Sequence, residues 1–307
     1  MKNDVRRFTP GVINHCYQNT VGGGLIFYSV SDCLVMFTIM CTLSIYYNVR
    51  ILALCFMPDH LHDSCIANDR ESLSAFIGHS TSAFVRQFNQ YTGRSGPLFN
   101  SPFGSAPKEG SKKSRTNLIY VYNNPVERHL VSRAELFRWN FLAYAENSHP
   151  FSEPLIIRRA SKKLLRALKM VEYMNNKHTP LTYPLLNSWF FQLDKTERNQ
   201  LTDYIITKYS TICHDEAINY FGSYDKLLTA VHSTTGNEYD INEVFVGRRD
   251  DVYNRMSATI LERGLVKDIH EVITLPYNQK QRLYKELLAG TDATAIQIKK
   301  YLHMRYD

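Results

Sequence analysis

The sequence lacks an apolar signal core behind its basic start, Met1-Lys2-Asn3-Asp4-Val5-Arg6-Arg7. It also lacks a membrane-length apolar run: Leu34 to Ile45 is too short to cross a bilayer and is interrupted by Thr and Ser. An export leader and a membrane span are therefore not expected, and the expected compartment is the cytoplasm. Paired cysteine spacing is missing as well. Cys16, Cys33, Cys41, Cys55, Cys65 and Cys213 are scattered, five of them in apolar surroundings. That pattern argues against a disulfide framework or a zinc knuckle and for buried thiols in a reducing compartment.

What is present is the composition of a folded chain. Hydrophobic residues make up 44% of 307 and charged residues 21%, which excludes a disordered protein and allows one large domain or two ordinary ones. The formal charge of +7 suits a polyanionic partner without demanding one.

In the first half, Val12 to Tyr17 alternates as a strand, and Gly22-Gly23-Gly24 breaks the chain. Ser29-Val30-Ser31-Asp32 offers an N-cap to a helix through Leu34, Phe37 and Leu43. The run Val49 to Phe56 reads as a buried strand ending in Met57-Pro58-Asp59-His60-Leu61-His62. Side chains two apart on a strand share a face, so His60 and His62 project together while Leu61 turns inward. Two imidazoles so held are half of a divalent-metal site, although a His-Leu-His triplet alone also suits a solvated strand end.

Asp69 caps a second helix, whose apolar side carries Leu73, Phe76, Ile77, Phe84 and Phe88 and whose polar side carries Arg86. Gly93 to Pro97 ends it, and Leu98-Phe99-Asn100 begins another short strand. Lys108, Lys112, Lys113 and Arg115 mark a basic loop before a third helix from near Thr116, which carries Tyr120, Tyr122 and Asn124. Strands alternating with helices give an α+β sandwich, a sheet with helices on its faces.

The blocks Met57-Pro58-Asp59-His60-Leu61-His62, Ser95-Gly96-Pro97-Leu98-Phe99 and Tyr120-Val121-Tyr122-Asn123-Asn124-Pro125-Val126 occur in one order. Together they resemble the single-tyrosine HUH transposases, and most closely the REP-associated tyrosine transposases, over about residues 1–148. The resemblance implies a ferredoxin-like HUH domain over 1–149 and a divalent cation, Mg²⁺ or Mn²⁺, on His60 and His62. It also implies that Tyr120 attacks single-stranded DNA beside a hairpin, leaving a 5′-phosphotyrosine and a free 3′-hydroxyl. Family members differ in whether subunits share the tyrosine, so a homodimer is compatible.

The spacing agrees with those roles. Tyr120 and Asn124 are four apart, on one face of a helix, so one residue attacks while the other offers an amide oxygen to the metal. Tyr122 points elsewhere, and Pro125 is expected to kink the helix. Asp63 departs from the family pattern, as either a further ligand or a solvated strand end. Arg86, Arg94, Lys108, Lys112, Lys113 and Arg115 are the candidate DNA contacts.

From Pro150 the chain becomes helical: a basic amphipathic segment within Pro154 to Met170, then Lys195 to Tyr209, Asp215 to Val231 and Asp250 to Leu261. Residues 150–307 are expected to be an all-α accessory domain, with an internal linker at 233–238. A candidate helix-turn-helix pairs Leu265 to Ile273 with Asn278 to Leu288; a second phasing pairs Lys280 to Leu288 with Thr294 to Leu302. The rivals to a nuclease are a non-catalytic DNA-binding regulator with the same fold and an unrelated α+β protein that binds RNA.

Overall fold

A computed structural model describes residues 6–233 and 249–304. The expected linker at 233–238 falls, beyond its first residue, outside the described residues. The first half is built as β1 (Ile13–Asn19), α1 (Val30–Tyr46), β2 (Arg50–Met57), β3 (His60–Ile66), α2 (Arg70–Thr92) and β4 (Gly104–Lys108), followed by α3 (Ser111–Glu127). The strands form one antiparallel sheet in the order β2-β3-β1-β4. This β-α-β-β-α-β succession with that order is the ferredoxin-like arrangement. It realises the α+β class expected from the sequence.

Local chemistry sets the boundaries. Ser29 and Asp32 form a reciprocal capping box at the start of α1. Asp69 caps α2, and Gly93 closes that helix in the left-handed conformation at φ 68°. Pro107 is tolerated in β4 because that strand lies at the sheet edge.

Three expectations for the first half are corrected. The histidine pair does not end the strand that begins at Val49. Pro58 has no N–H for the ladder and closes β2, and Met57 pairs with His60 across the Pro58-Asp59 turn. The histidines thus open β3, an interior strand. The strand expected at Leu98 to Asn100 is a single bridge, Thr20 to Phe99, and the fourth strand begins at Gly104. Pro97 and Pro102 flank the bridge and withhold the donors a longer ladder needs. The basic segment is not a loop either: Lys108 ends β4, and Lys112, Lys113 and Arg115 lie on the opening turns of α3, which starts five residues earlier than expected.

The second half holds α4 (Lys162–Asn176), α5 (Tyr183–Gln192), α6 (Lys195–Tyr209), α7 (His214–Asn219), α8 (Tyr224–Ser233), α9 (Asp251–Glu262), α10 (Glu271–Thr274), α11 (Tyr277–Gly290) and α12 (Ala295–Tyr301). No strand occurs after residue 150 among the described residues. The segment expected as one helix over Asp215 to Val231 is two, broken near Gly222, whose φ is 89°.

The first helix of the first helix-turn-helix phasing, Leu265 to Ile273, shrinks to the single turn α10. Asp268 explains this, because its carboxylate accepts from the backbone N–H of His270 and favours a turn over a helix. In the second phasing, Lys280 to Leu288 lies within α11, and Thr294 to Leu302 is α12 with its two cap residues.

One buried core runs through both halves, joining Phe37, Phe56 and Phe88 to Leu164, Leu201, Tyr183 and Tyr301. Polar bonds tie it together. Asp32 of α1 accepts from Tyr183 at 2.7 Å and lies 2.9 Å from His270. A second core lies on the other side of the sheet, where Leu118, Tyr120, Val121 and Tyr122 of α3 pack on Ile13, Leu52, Cys55 and Met57. The sheet is therefore covered on both faces, and on the side that carries the histidines α3 is joined by Ala217 of α7 and Leu227 and Val231 of α8.

Candidate active site

The alternation of β3 sorts its side chains. His60, His62 and Ser64 face α3, where Ser64 donates to Asn117 at 2.8 Å. Leu61 and Cys65 face α1 and α2. On the adjoining strand His15 lies on the histidine face, its Nε2 3.1 Å from Nδ1 of His62. Register explains the proximity: Tyr17 pairs with His62 and His15 with Ser64.

The helix α3 brings up the remaining groups. Its buried positions Asn117, Leu118, Tyr120, Val121 and Asn124 recur at helical spacing, so the stripe that packs on the sheet carries both polar and apolar side chains. Tyr120 is fully buried, and its phenol oxygen lies 3.4 Å from His62 Nε2. Asn124, one turn on, places Nδ2 3.2 Å from the same nitrogen. Tyr122 points away and donates to the Leu52 carbonyl at 3.2 Å, as its helical phase requires. Pro125 lies inside the helix, which continues to Glu127.

The histidines are oriented for a lone pair toward this group. Nδ1 of His60 lies 2.7 Å from Asp59 Oδ1, and Lys300 of α12 reaches the other Asp59 oxygen at 2.7 Å. With the proton on Nδ1, His60 Nε2 is an acceptor. Burial opposes ionisation of Asp59, but the bond to His60 and the charge of Lys300 outweigh it and hold the carboxyl well below its usual range. Burial, then the neighbouring His60 and His15, keeps the pKa of His62 well below 6.5. Burial, with Lys108 adding, lowers that of His15 to about 3. His15 and His62 are therefore neutral at pH 7, the form in which an imidazole can ligate a metal.

Two buried atoms test whether this arrangement suits a cation. His60 Nε2 and Asn124 Oδ1 are both enclosed without a hydrogen-bond partner. Each such atom costs about 1–3 kcal/mol unless a ligand satisfies it, so two in one site mark a place for an electrophile. With His62 Nε2 they offer two imidazole nitrogens and one amide oxygen, a mixed set that Mn²⁺ accepts more readily than Mg²⁺. Among the described residues no cluster of three His, Cys, Asp or Glu side chains has metal-binding geometry, so an amide oxygen is the available third donor.

Asp63 is neither of the alternatives expected for it. It is fully buried on the opposite face of β3, against Cys16 and Cys65, and burial raises its pKa to about 7.

The basic candidates are spread over α2, the loop after it, β4 and the start of α3. Lys112, Lys113 and Arg115 are exposed at the start of α3, and Tyr120 sits roughly 8–12 Å further along the axis at 1.5 Å per residue. Arg86 is exposed on α2. The Arg94 guanidinium closes its own loop, donating to Asn89, Gly96 and Pro97. Lys108 shares the face of His15 through its pairing with Ile13.

Sequence reasoning missed His15, Asp59, Arg128 and Lys300. The latter three line, with His60, Asn19 and Thr20, a cleft of about 350 Å³ beside the histidines. Only Asp59 had a local signal, its place between the proline and the first histidine.

No family model and no curated protein matches the chain. A solved structure of a REP-associated tyrosine transposase bound to a REP hairpin is similar over 45% of this chain and 81% of its own, at 16% identity and a TM-score of 0.38. So distant a likeness carries no argument, and the reading rests on the site. No described helix is long and apolar enough to cross a membrane.

Proposed function

We propose that the chain is a metal-dependent single-strand DNA endonuclease and strand transferase of the HUH single-tyrosine type. The observation that supports it most is the meeting of four groups from two elements. Tyr120 and Asn124 of α3 converge on His62 of β3, beside His60, with the ligand-ready atoms His60 Nε2 and Asn124 Oδ1 unsatisfied. A core tyrosine placed for packing alone would not need two imidazoles and an amide around it.

In this reading the Tyr120 oxygen attacks a backbone phosphorus, the Tyr–O–P bond forms, the P–O3′ bond breaks, and the proton ends on the released 3′-hydroxyl. Because phosphotyrosine conserves the bond energy, that hydroxyl can later attack and reseal a strand. His60, His62 and Asn124 would hold a divalent cation, which would supply Lewis-acid polarisation of a phosphate oxygen. Asp59 and His15 fix the two imidazoles by their second nitrogens. Tyr120 is enclosed, so the reading requires the wall between it and the cleft at His60 to give way when DNA binds. The resemblance of the sequence blocks to the family supports a hairpin-flanked single strand as the substrate.

That enclosure favours one other reading, a DNA-binding regulator that keeps the fold without cleavage. Labelled hairpin-containing single strands incubated with the protein and Mn²⁺ or Mg²⁺ separate the two. A denaturation-resistant protein–DNA band that disappears in Tyr120→Phe supports the nuclease; DNA binding with no band under any metal supports the regulator.

A further inference from the structure

On the face of the sheet opposite the histidines, two cavities of about 270 and 470 Å³ share Arg6, Ser74 and Phe103 and form one groove between α2 and the approach to β4. Four arginines line it, Arg6, Arg7, Arg70 and Arg86, and no carboxylate does. Its floor along α2 is made of small and hydroxyl residues, Ser74, Gly78, Thr81 and Ser82. From Arg70 to Arg86 it follows roughly 24 Å of helix at 1.5 Å per residue.

The basic wall is built into the fold. Arg7 N donates to the Ser105 carbonyl, Ser105 Oγ donates back to the Arg7 carbonyl, and Arg70 donates to the Arg6 carbonyl at 2.6 Å. The Arg6 guanidinium lies 4.7 Å from the centre of the Phe103 ring. At the far end Gln18 is buried, with Nε2 bonded to the Asn100 carbonyl and Oε1 without a partner. Its chain neighbours Asn19 and Thr20 line the cleft at His60.

We infer that this groove binds the backbone of single-stranded DNA and leads it over the end of β1 toward the His60 cleft. Arginines placed at intervals along a groove, with hydroxyls and an aromatic face between them, match phosphates at intervals with bases between them. The single-strand source follows from the proposed function, on which this inference rests.

Gly78 gives a test that spares the fold. A Cβ added there meets nothing within 4 Å, and glycine inside a helix is replaceable without strain. Gly78→Glu puts a negative charge in the groove, and Gly78→Ala is its control. Binding of fluorescent oligothymidylate, read by anisotropy across a salt series, is expected to weaken about tenfold or more in Gly78→Glu and to be unchanged in Gly78→Ala. In Arg86→Ala the slope of log affinity against log salt should fall by about 0.7 for one lost phosphate contact. Gly78→Glu binding as tightly as wild type, or tighter binding of the matching RNA, overturns the inference. An intact Tyr120-dependent adduct with unchanged Gly78→Glu affinity sinks the groove alone. Groove-dependent binding with no adduct sinks the proposed nuclease and leaves the groove.

Discussion

His60 Nδ1 and Asp59 Oδ1 lie 2.7 Å apart in a buried pair, and Lys300 holds the second Asp59 oxygen. This couples α12 to the orientation of a proposed metal ligand more than 200 positions away in the chain. Asp59→Ala is expected to weaken Mn²⁺ binding about 10–100-fold, the usual cost of losing a residue that orients a histidine ligand. Titration calorimetry with Mn²⁺ reads it directly. Unchanged affinity in a folded variant would contradict the orienting role.

The staple between α1 and the segment before α10 predicts a pH dependence of stability. Burial opposes the charge on His270, but Asp32 and then Asp268 outweigh it and raise its pKa from 6.5 to about 10. A raised folded-state pKa means the contribution is fully present below about 6.5 and is lost as pH climbs through about 10. Asp63, raised to about 7, and Lys280, lowered to about 8, add slopes of their own, so the informative quantity is a difference. Urea unfolding of wild type minus His270→Gln should shrink steadily over that range. At pH 6 the variant should be destabilised by about 3–5 kcal/mol, the cost of leaving Asp32 buried without its cation. A pH-independent difference would show that the pair is not ionic.

Gly104 and Tyr17 make a packing prediction. A Cβ at Gly104 would fall 2.1 Å from the Tyr17 ring, which lies across the glycine on the histidine face. Gly104→Ala should therefore destabilise by about 1–3 kcal/mol through overpacking. In a Tyr17→Ala background the same change should be nearly neutral, and a double-mutant cycle by chemical denaturation tests this. Equal penalties in both backgrounds would place the strain elsewhere.

Much of the first half was legible because its signals are local. Ser29 and Asp69 announce helix starts by capping chemistry, and the period of α2 is plain in Leu73, Phe76, Ile77, Phe84 and Phe88. The pairing of Tyr120 with Asn124 follows from helical spacing alone. What stayed hidden depends on contacts distant in sequence. His15 reaches His62 through strand register across 47 positions, and Lys300 reaches Asp59 across 241. The histidines fall on a separate strand because Pro58-Asp59 is a two-residue turn, so short that the apolar run before it and the alternation after it read as one strand. In the second half α5 was missed because Trp189, Phe190 and Phe191 blur its amphipathic pattern, and Phe191 is 89% exposed.

The most direct test of the account is to map the attachment site on the protein after incubation with a hairpin-flanked single strand and Mn²⁺. Nuclease digestion followed by peptide mass spectrometry should find a nucleotide 5′-phosphate on Tyr120 and on no other tyrosine. Attachment at Tyr122, whose hydroxyl is bonded to the Leu52 carbonyl, or no covalent nucleotide on a protein that binds the same DNA, would contradict it.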